Sequence, residues 1–164
     1  MSARHAGLHK EGLGPDPREA RLDQDPRVTR VIDLFESIAP ADIDRLSQFY
    51  APQVRFKDPF NDVQGVPAVQ QVFRHMFDSL DRPRFEVRDV VVQGDQCFLT
   101  WDFLFHFKHF SREPQTVHGG SHLQFDAIGL ITLHRDYWDA AEELYEKLPV
   151  VGALMRLLKR RASQ

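Results

Sequence analysis

The order of local patterns over residues 31–59 constrains the fold of this chain more than any other feature of the sequence. Apolar residues recur at helical spacing over residues 28–38 until a proline, and a second, shorter run with the same spacing covers residues 43–50. Residues 54–57 then alternate as in a strand, and Asp58-Pro59 ends it because proline cannot donate to a strand ladder. The sequence therefore predicts two short amphipathic helices followed by one strand.

A third helix and four long strands are predicted farther along the chain. The helix begins after Gly65, tolerates Pro67 in its first turn and carries its apolar face as far as Leu80. The four strands cover residues 84–92, 97–107, 115–126 and 130–137, and a turn at residues 93–95 joins the first two as a hairpin. These elements predict an α+β domain whose sheet has four long antiparallel strands plus the short early one.

The predicted strand at residues 97–107 is unusually aromatic. Side chains alternate between the two faces of a strand, so its residues fall into two sets. One face carries Leu99, Trp101, Phe103, Phe105 and Phe107, and the other carries Phe98, Thr100, Asp102, Leu104 and His106. Both faces of this strand are therefore expected to be at least partly covered.

Composition and charge exclude several classes of function. The 164 residues suffice for one domain with a sizeable core, and 42% hydrophobic with 27% charged residues is ordinary for a soluble protein. A net charge of −3 provides no basic field for nucleic acid. No segment has the apolar length of a membrane span or a secretory signal, so we expect a cytoplasmic protein. The lone Cys97 is expected to be a buried, inert thiol.

The two ends of the chain are expected to lie outside the domain. Residues 1–26, rich in glycine, proline and charge, are predicted to form a flexible tail, and residues 27–138 to form the domain. Residues 139–164 have a helical composition with an apolar stripe. They are predicted to form a C-terminal helical extension that packs on the domain or on a partner subunit.

These elements, in this order and spacing, resemble the nuclear transport factor 2-like superfamily over residues 28–138. Within it the chain looks like the SnoaL-like proteins, which are related to polyketide cyclases and ketosteroid isomerases. The resemblance implies a cone, in which a curved antiparallel sheet wraps around the three helices and encloses a pocket, and a homodimer formed through the outer sheet face. The residues expected to line the pocket are Phe35, Phe60, Trp101, Phe103, Phe105, Ser121 and Trp138.

Asp58 matches the aspartate at a strand end that serves as the base in ketosteroid isomerases. Those enzymes also use a tyrosine and a protonated aspartate to stabilise the oxyanion, a known example of pKa tuning. Leu34 and Ser121 stand at the matching positions here. Leucine cannot donate a hydrogen bond and serine replaces a neutral carboxylic acid poorly, so classical ketosteroid isomerase activity is not expected. An aspartate before proline also commonly satisfies the backbone of a turn, which is the structural alternative for Asp58.

The last predicted strand carries a second group of polar residues. Alternation places His134, Asp136 and Trp138 on one face and Arg135 and Tyr137 on the other. The segment looks like the last strand of SnoaL-like proteins, where a pocket aspartate acts as acid and base, and Asp136 is the residue that matches. In an aromatic pocket its charged form would be desolvated, which favours proton transfer. The alternative is a structural carboxylate paired with Arg135 or His134.

Three histidines raise the question of a metal site. His118 and His122 point to the same face of one strand, and His106 lies on the neighbouring strand. Their parity places them opposite Ser121, on the face expected to meet solvent or a dimer partner. A metal site needs side chains that converge on one ion, so polar surface residues are the commoner outcome, and we expect no metal and no cofactor.

The leading functional hypothesis is a SnoaL-like protein that binds a small, largely apolar molecule in the cone. Asp136, His134 and Asp58 are its candidate residues for acid/base chemistry of the isomerase or cyclase type. The alternative is a non-catalytic module that binds a partner protein through the sheet face and the C-terminal helix. A third option, epoxide hydrolysis, needs an Asp-Arg-Asp relay that the sequence does not reveal.

Overall fold

The computed structural model of the protein describes residues 25–108 and 113–140. Its elements are helix α1 (Pro26–Ser37), a 3₁₀ helix (Pro40–Gln48), strands β1 (Tyr50–Lys57) and β2 (Asp62–Gln64), helix α2 (Val66–Ser79), and strands β3 (Leu80–Gln93), β4 (Gln96–Phe107), β5 (Gln115–Phe125) and β6 (Ile131–Tyr137). The predicted tail, except for its last two residues, and the C-terminal extension from residue 141 onward lie outside the described residues.

Helix α1 begins where short-range hydrogen bonds favour a helix start. The side chain of Asp25 accepts a hydrogen bond from the backbone N–H of Arg27 at 3.0 Å, and Pro26 takes the first position, where no backbone donor is needed. Val28, Val31, Ile32 and Phe35 are buried, as the spacing predicts, and Leu34 is buried beside them.

The second predicted helix is a 3₁₀ helix that ends earlier than its apolar spacing indicates. Ile43 and Leu46 are buried on it. The expectation that it continues through Tyr50 is wrong, because β1 begins at that residue and pairs it with Ile131. The carbonyl of Phe49 also accepts a hydrogen bond from the N–H of Ile131 at 2.8 Å. Strand pairing across the chain therefore overrides the local helical pattern.

The strands form one curved sheet in the order β2-β1-β6-β5-β4-β3. Neighbouring strands are antiparallel except β1 and β6, which run parallel. The expectation of a purely antiparallel sheet is therefore wrong, because β1 pairs in parallel with β6. Helix α2 and strands β2 to β5 lie between these two strands in the chain, and so long a connection permits the parallel direction that a tight turn forbids. Strand β2 is absent from the prediction; it folds back on β1, where Lys57 and Asp62 form an ion pair of 2.7 Å.

The β3–β4 hairpin is confirmed, and β3 is longer than predicted. Leu80, expected on the last turn of α2, is the first residue of β3. The strand then shifts register at a bulge near Arg82, which has a φ of 50°. At the other end Gln93 pairs with Gln96, and Gly94, with a φ of 65°, makes the turn.

The helices pack on one face of this sheet, its inner face, and the opposite face is its outer face. Helix α1 packs on β3, while α2 packs on the 3₁₀ helix, β1 and β3. Cys97 lies in the core with no exposed surface, and burial raises the pKa of its thiol to about 11, as expected for an inert cysteine. Within the described part of the chain, no helix has the length and apolarity needed to cross a membrane.

Candidate active site

A cavity of about 950 Å³ opens between the helices and the inner face of the sheet. Its wall is mostly aromatic, with contributions from α1, α2 and β1 as well as from β3 and β4. The aromatic side chains on the wall are Phe35, Phe56, Phe60, Phe73, Phe85, Trp101, Phe103, Phe105, Phe107 and Trp138. The cone is therefore open, although so many of its residues are large.

All the residues proposed from the sequence for catalysis or pocket lining lie on the wall of this cavity. They are Phe35, Asp58, Phe60, Trp101, Phe103, Phe105, Ser121, His134, Asp136 and Trp138. Alternation explains the sheet residues, since β4, β5 and β6 each turn every second side chain toward the helices. The register between β5 and β6 also places Ser121 directly opposite Asp136, so their side chains lie together on the wall.

Two consecutive hydrogen bonds connect Trp101 on β4 to Asp136 through Ser121. The indole Nε1 of Trp101 donates to Oγ of Ser121 at 2.9 Å, and the Ser121 hydroxyl donates to Oδ1 of Asp136 at 2.5 Å. The direction of both bonds is determined because the indole nitrogen can only donate and an ionised carboxylate can only accept. Ser121 is buried, so its hydroxyl is oriented before any ligand enters.

Two further hydrogen bonds connect Tyr50 on β1 to Asp136 through His134. Nε2 of His134 lies 2.8 Å from the same oxygen, Oδ1 of Asp136, and Nδ1 of His134 lies 2.7 Å from the hydroxyl of Tyr50. His134 is 3% exposed, and the rings of Phe35 and Phe56 meet its imidazole edge-to-face with centroids 5.4 Å and 4.9 Å away. The imidazole is therefore held by two hydrogen bonds and by packing.

Sequence reasoning missed Tyr50. Its spacing assigned it to a helix, and nothing in the local sequence shows that its hydroxyl meets a histidine 84 positions away. Burial raises the pKa of Tyr50 well above its usual range, and the negative charge of Asp136 raises it further. The phenol therefore keeps its proton.

The carboxylate of Asp136 is fixed through one oxygen only. Within the described residues, Ser121 and His134 both bond to Oδ1, and Oδ2 receives no hydrogen bond from the protein. The side chain keeps 16% of its surface exposed, on the cavity wall. The alternative pairing with Arg135 does not occur, because Arg135 points to the other face and stacks over Tyr137 at 4.8 Å.

Asp58 lies on the cavity wall but is engaged in a turn. Its Oδ1 accepts the backbone N–H groups of Phe60 at 2.7 Å and Asn61 at 2.6 Å, and the side-chain amide of Asn61 contacts both carboxylate oxygens. These contacts match the structural role of an aspartate before proline. No hydrogen bond in the described part of the chain joins Asp58 to Asp136 or to His134.

The histidines of the outer face do not converge. His118 hydrogen-bonds Asp102 at 2.6 Å, whereas His122 stacks on Phe98 with ring centroids 4.2 Å apart. Among the described residues, no group of three His, Cys, Asp or Glu side chains is arranged to hold a metal ion. The three-histidine hypothesis therefore has no support from the geometry.

The family model of the SnoaL-like domain matches residues 31–136. No curated protein matches the chain by sequence. The match extends from the middle of α1 to Asp136, so it contains the whole hydrogen-bond chain around that carboxylate.

Solved structures share the fold at low sequence identity. A putative polyketide cyclase from Acidithiobacillus ferrooxidans has a TM-score of 0.66 at 15% identity, over 79% of this chain and 98% of that one. A putative SnoaL-like polyketide cyclase from Jannaschia sp. CCS1 has 0.63 at 18%, over 80% and 94%. A Mycobacterium tuberculosis epoxide hydrolase of the LEH-like type has 0.59 at 13%, over 81% and 89%. Identities this low establish the architecture and leave the chemistry to the site.

Proposed function

Because this chain belongs to the SnoaL-like domain family, we propose that it binds a small, largely apolar molecule in its cone and transfers a proton on that molecule without a cofactor. The observation that carries this proposal is the placement of Asp136, a carboxylate fixed through Oδ1 with Oδ2 left without a protein hydrogen bond, in an aromatic cavity. The candidate residues of the reaction are Asp136 and His134.

The cavity determines the class of ligand in this proposal. A volume of about 950 Å³ falls within the range of small-molecule sites, and a mostly aromatic wall favours a flat, ring-containing molecule. Gln71, Arg74 and His75 of α2 also lie on the wall and offer hydrogen bonds to a polar end of the ligand. The proposed substrate is a cyclic or polycyclic carbonyl compound with an acidic C–H next to the carbonyl.

The proposed chemistry is a proton shuttle on carbon. Oδ2 of Asp136 takes the proton from the carbon next to the carbonyl, the electron pair moves onto the carbonyl oxygen, and the protonated Asp136 returns the proton to carbon or oxygen. Donation from Ser121 and His134 to Oδ1 holds the carboxyl group in place throughout.

The same geometry argues against two related activities. The hydroxyl of Ser121 already donates to Asp136, so it does not serve as the oxyanion donor that a ketosteroid isomerase needs at this position. An epoxide hydrolase relay would set an arginine between two aspartates. The partners of Asp136 are instead Ser121 and His134 within the described chain. Asp58 remains a candidate second carboxylate, and freeing it would require opening its turn.

Hydrogen–deuterium exchange of a simple ketone tests the proposal. The probe is 2-tetralone in D2O, a bicyclic ketone whose loss of α-protons is followed by NMR. Wild-type protein should accelerate exchange over buffer, and Asp136→Asn should lose roughly 10²-fold or more of that acceleration while staying folded. Asp78→Asn is the matched control, because it removes a carboxylate from the same wall that makes no contact with Asp136 or His134, and it should keep the wild-type acceleration. No acceleration by the wild type, or equal rates for Asp136→Asn, would contradict the proposal.

We also propose a homodimer formed through the outer face of the sheet. Phe98 is 51% exposed and stacks on His122, and Val91, its partner across the β3–β4 ladder, is 64% exposed. Apolar patches of this kind mark protein contacts. Light scattering after gel filtration should give twice the chain mass for the wild type and the monomer mass for Phe98→Asp. A monomeric wild type at the highest concentration tested would reject the dimer.

The alternative function, a non-catalytic module that binds a partner protein, draws on this same outer face. It differs from the enzyme hypothesis in what Asp136 does. If the protein is a partner-binding module, its binding should be unchanged in Asp136→Asn and should be lost when residues 148–164 are removed. The exchange assay and a binding assay with the truncated chain therefore separate the two functions.

A further inference from the structure

We infer that Tyr50 is a positioning residue: its hydroxyl keeps the Nδ1 atom of His134 free of a proton, so that a neutral His134 holds Asp136 through Nε2–H. The inference rests on the proposed role of Asp136 as the base. It adds a residue that lies one hydrogen bond behind His134, in the core rather than on the cavity wall.

Tyr50 reaches His134 because β1 lies beside β6. Its side chain is 1% exposed, its ring is stacked on the imidazole at a centroid distance of 6.0 Å and an angle of 6°, and its hydroxyl lies 2.7 Å from Nδ1. The rings of Phe35 and Phe56 pack against the same imidazole. Asp136 is the charged group that bonds to it in the described structure.

The positions of the protons follow from the partners. The Tyr50 hydroxyl is buried, and Nδ1 of His134 is its partner in the described residues, so the O–H must donate there or remain unsatisfied. Nδ1 is then an acceptor and carries no proton. A neutral imidazole with a bare Nδ1 carries its proton on Nε2, which donates to Oδ1 of Asp136.

A neutral histidine in this place has a functional consequence. An imidazolium beside Asp136 would hold the carboxylate equally well but would weaken it as a base, because a neighbouring positive charge stabilises the ionised form. Protonation of Nδ1 would also leave the buried Tyr50 O–H without an acceptor. Tyr50 therefore opposes protonation of His134 and preserves a donor that positions Asp136 without cancelling its charge.

Nitrogen NMR of His134 in the full chain tests this directly, without any substrate. The His134 signals are assigned by their loss in His134→Asn, and spectra of wild type, Tyr50→Phe and Ser121→Ala are recorded at pH 6.0 and 7.5. Wild type should show an unprotonated Nδ1 and a protonated Nε2 at pH 7.5. Tyr50→Phe should show a larger protonated fraction at Nδ1 than the wild type at the same pH. Ser121→Ala, which removes the other donor to Asp136, should match the wild type.

Two results would overturn the inference: a wild-type His134 with a protonated Nδ1 at pH 7.5, or a Tyr50→Phe spectrum identical to the wild type at both pH values. The exchange assay distinguishes failure of the inference about Tyr50 from failure of the proposed function. Tyr50→Phe should catalyse the hydrogen–deuterium exchange of 2-tetralone more slowly than the wild type at pH 6.0. At pH 8.0 its rate should approach the wild-type rate. If wild type catalyses no exchange while the NMR result holds, the proposed reaction fails and the role of Tyr50 toward His134 stands.

Discussion

Nε2 of His134 lies 2.8 Å from Oδ1 of Asp136, two positions farther along β6 on the same face of the strand. Such a pair belongs to one rigid strand, so its geometry does not depend on a mobile loop. The oxygen that His134 holds is also the oxygen that Ser121 holds. Both donors therefore converge on one atom of Asp136 and leave its other oxygen to the cavity.

Ligand binding should change the fluorescence of the protein. The chain has two tryptophans, Trp101 and Trp138, and both lie on the cavity wall. Titration with 2-tetralone should alter the emission of the wild type in a saturable way. Trp101→Phe and Trp138→Phe should each lose part of the response, whereas Phe98→Ala on the outer face should keep all of it. An unchanged wild-type spectrum at saturating ketone would count against a ligand site in the cone.

Gly119 should tolerate no side chain. A Cβ built at this position would lie 2.3 Å from Cη2 of Trp101, because the indole ring packs directly over the glycine. Gly119→Ala should therefore lower the free energy of unfolding by about 1–3 kcal/mol and displace the indole from Ser121. Urea denaturation measures the first effect. The double variant with Trp101→Phe should lose less than the sum of the two single changes, and strict additivity would show that the two residues do not compete for space.

His122 should make the fold less stable in mild acid. Burial lowers the pKa of its imidazole, and the nearby Arg135 lowers it further. The unfolded chain, with a histidine pKa of about 6.5, then binds the proton more tightly than the folded chain. The contribution of neutral His122 to the free energy of unfolding is therefore complete above about pH 6.5. It is lost as the pH falls from there toward the lower pKa that His122 has in the folded chain. In urea denaturation, wild type should lose more stability than His122→Gln between pH 7.5 and 5.5, and parallel losses would refute this.

Cys97 should resist alkylation until the protein unfolds. Its thiol has no exposed surface, and its pKa is raised to about 11 by burial and, less strongly, by the charge of Asp25. Iodoacetamide at pH 8 should leave the native chain unmodified and label it in urea, as intact mass measures. Rapid labelling without denaturant would show that the β4 end of the core opens readily.

Periodicity along single elements determined much of this protein in advance. The apolar faces of α1 and α2, the hairpin at Gly94 and the inward parity of Trp101, Ser121 and Asp136 all follow from spacing, because side-chain direction within a helix or strand is a local property. Together with the order of the elements, that spacing carried the resemblance from which the fold and part of the cavity wall were expected.

Only the tertiary structure decided how these residues are connected. The parallel pairing of β1 with β6 moved Tyr50 from a predicted helix into the sheet and brought its hydroxyl to His134, and the turn at Asn61 engaged Asp58. The same long-range packing directed Arg135 away from Asp136 and left the cone open among its aromatic side chains. Strand pairing and cavity volume depend on residues far apart in the chain, and the spacing within a single element carries no information about either.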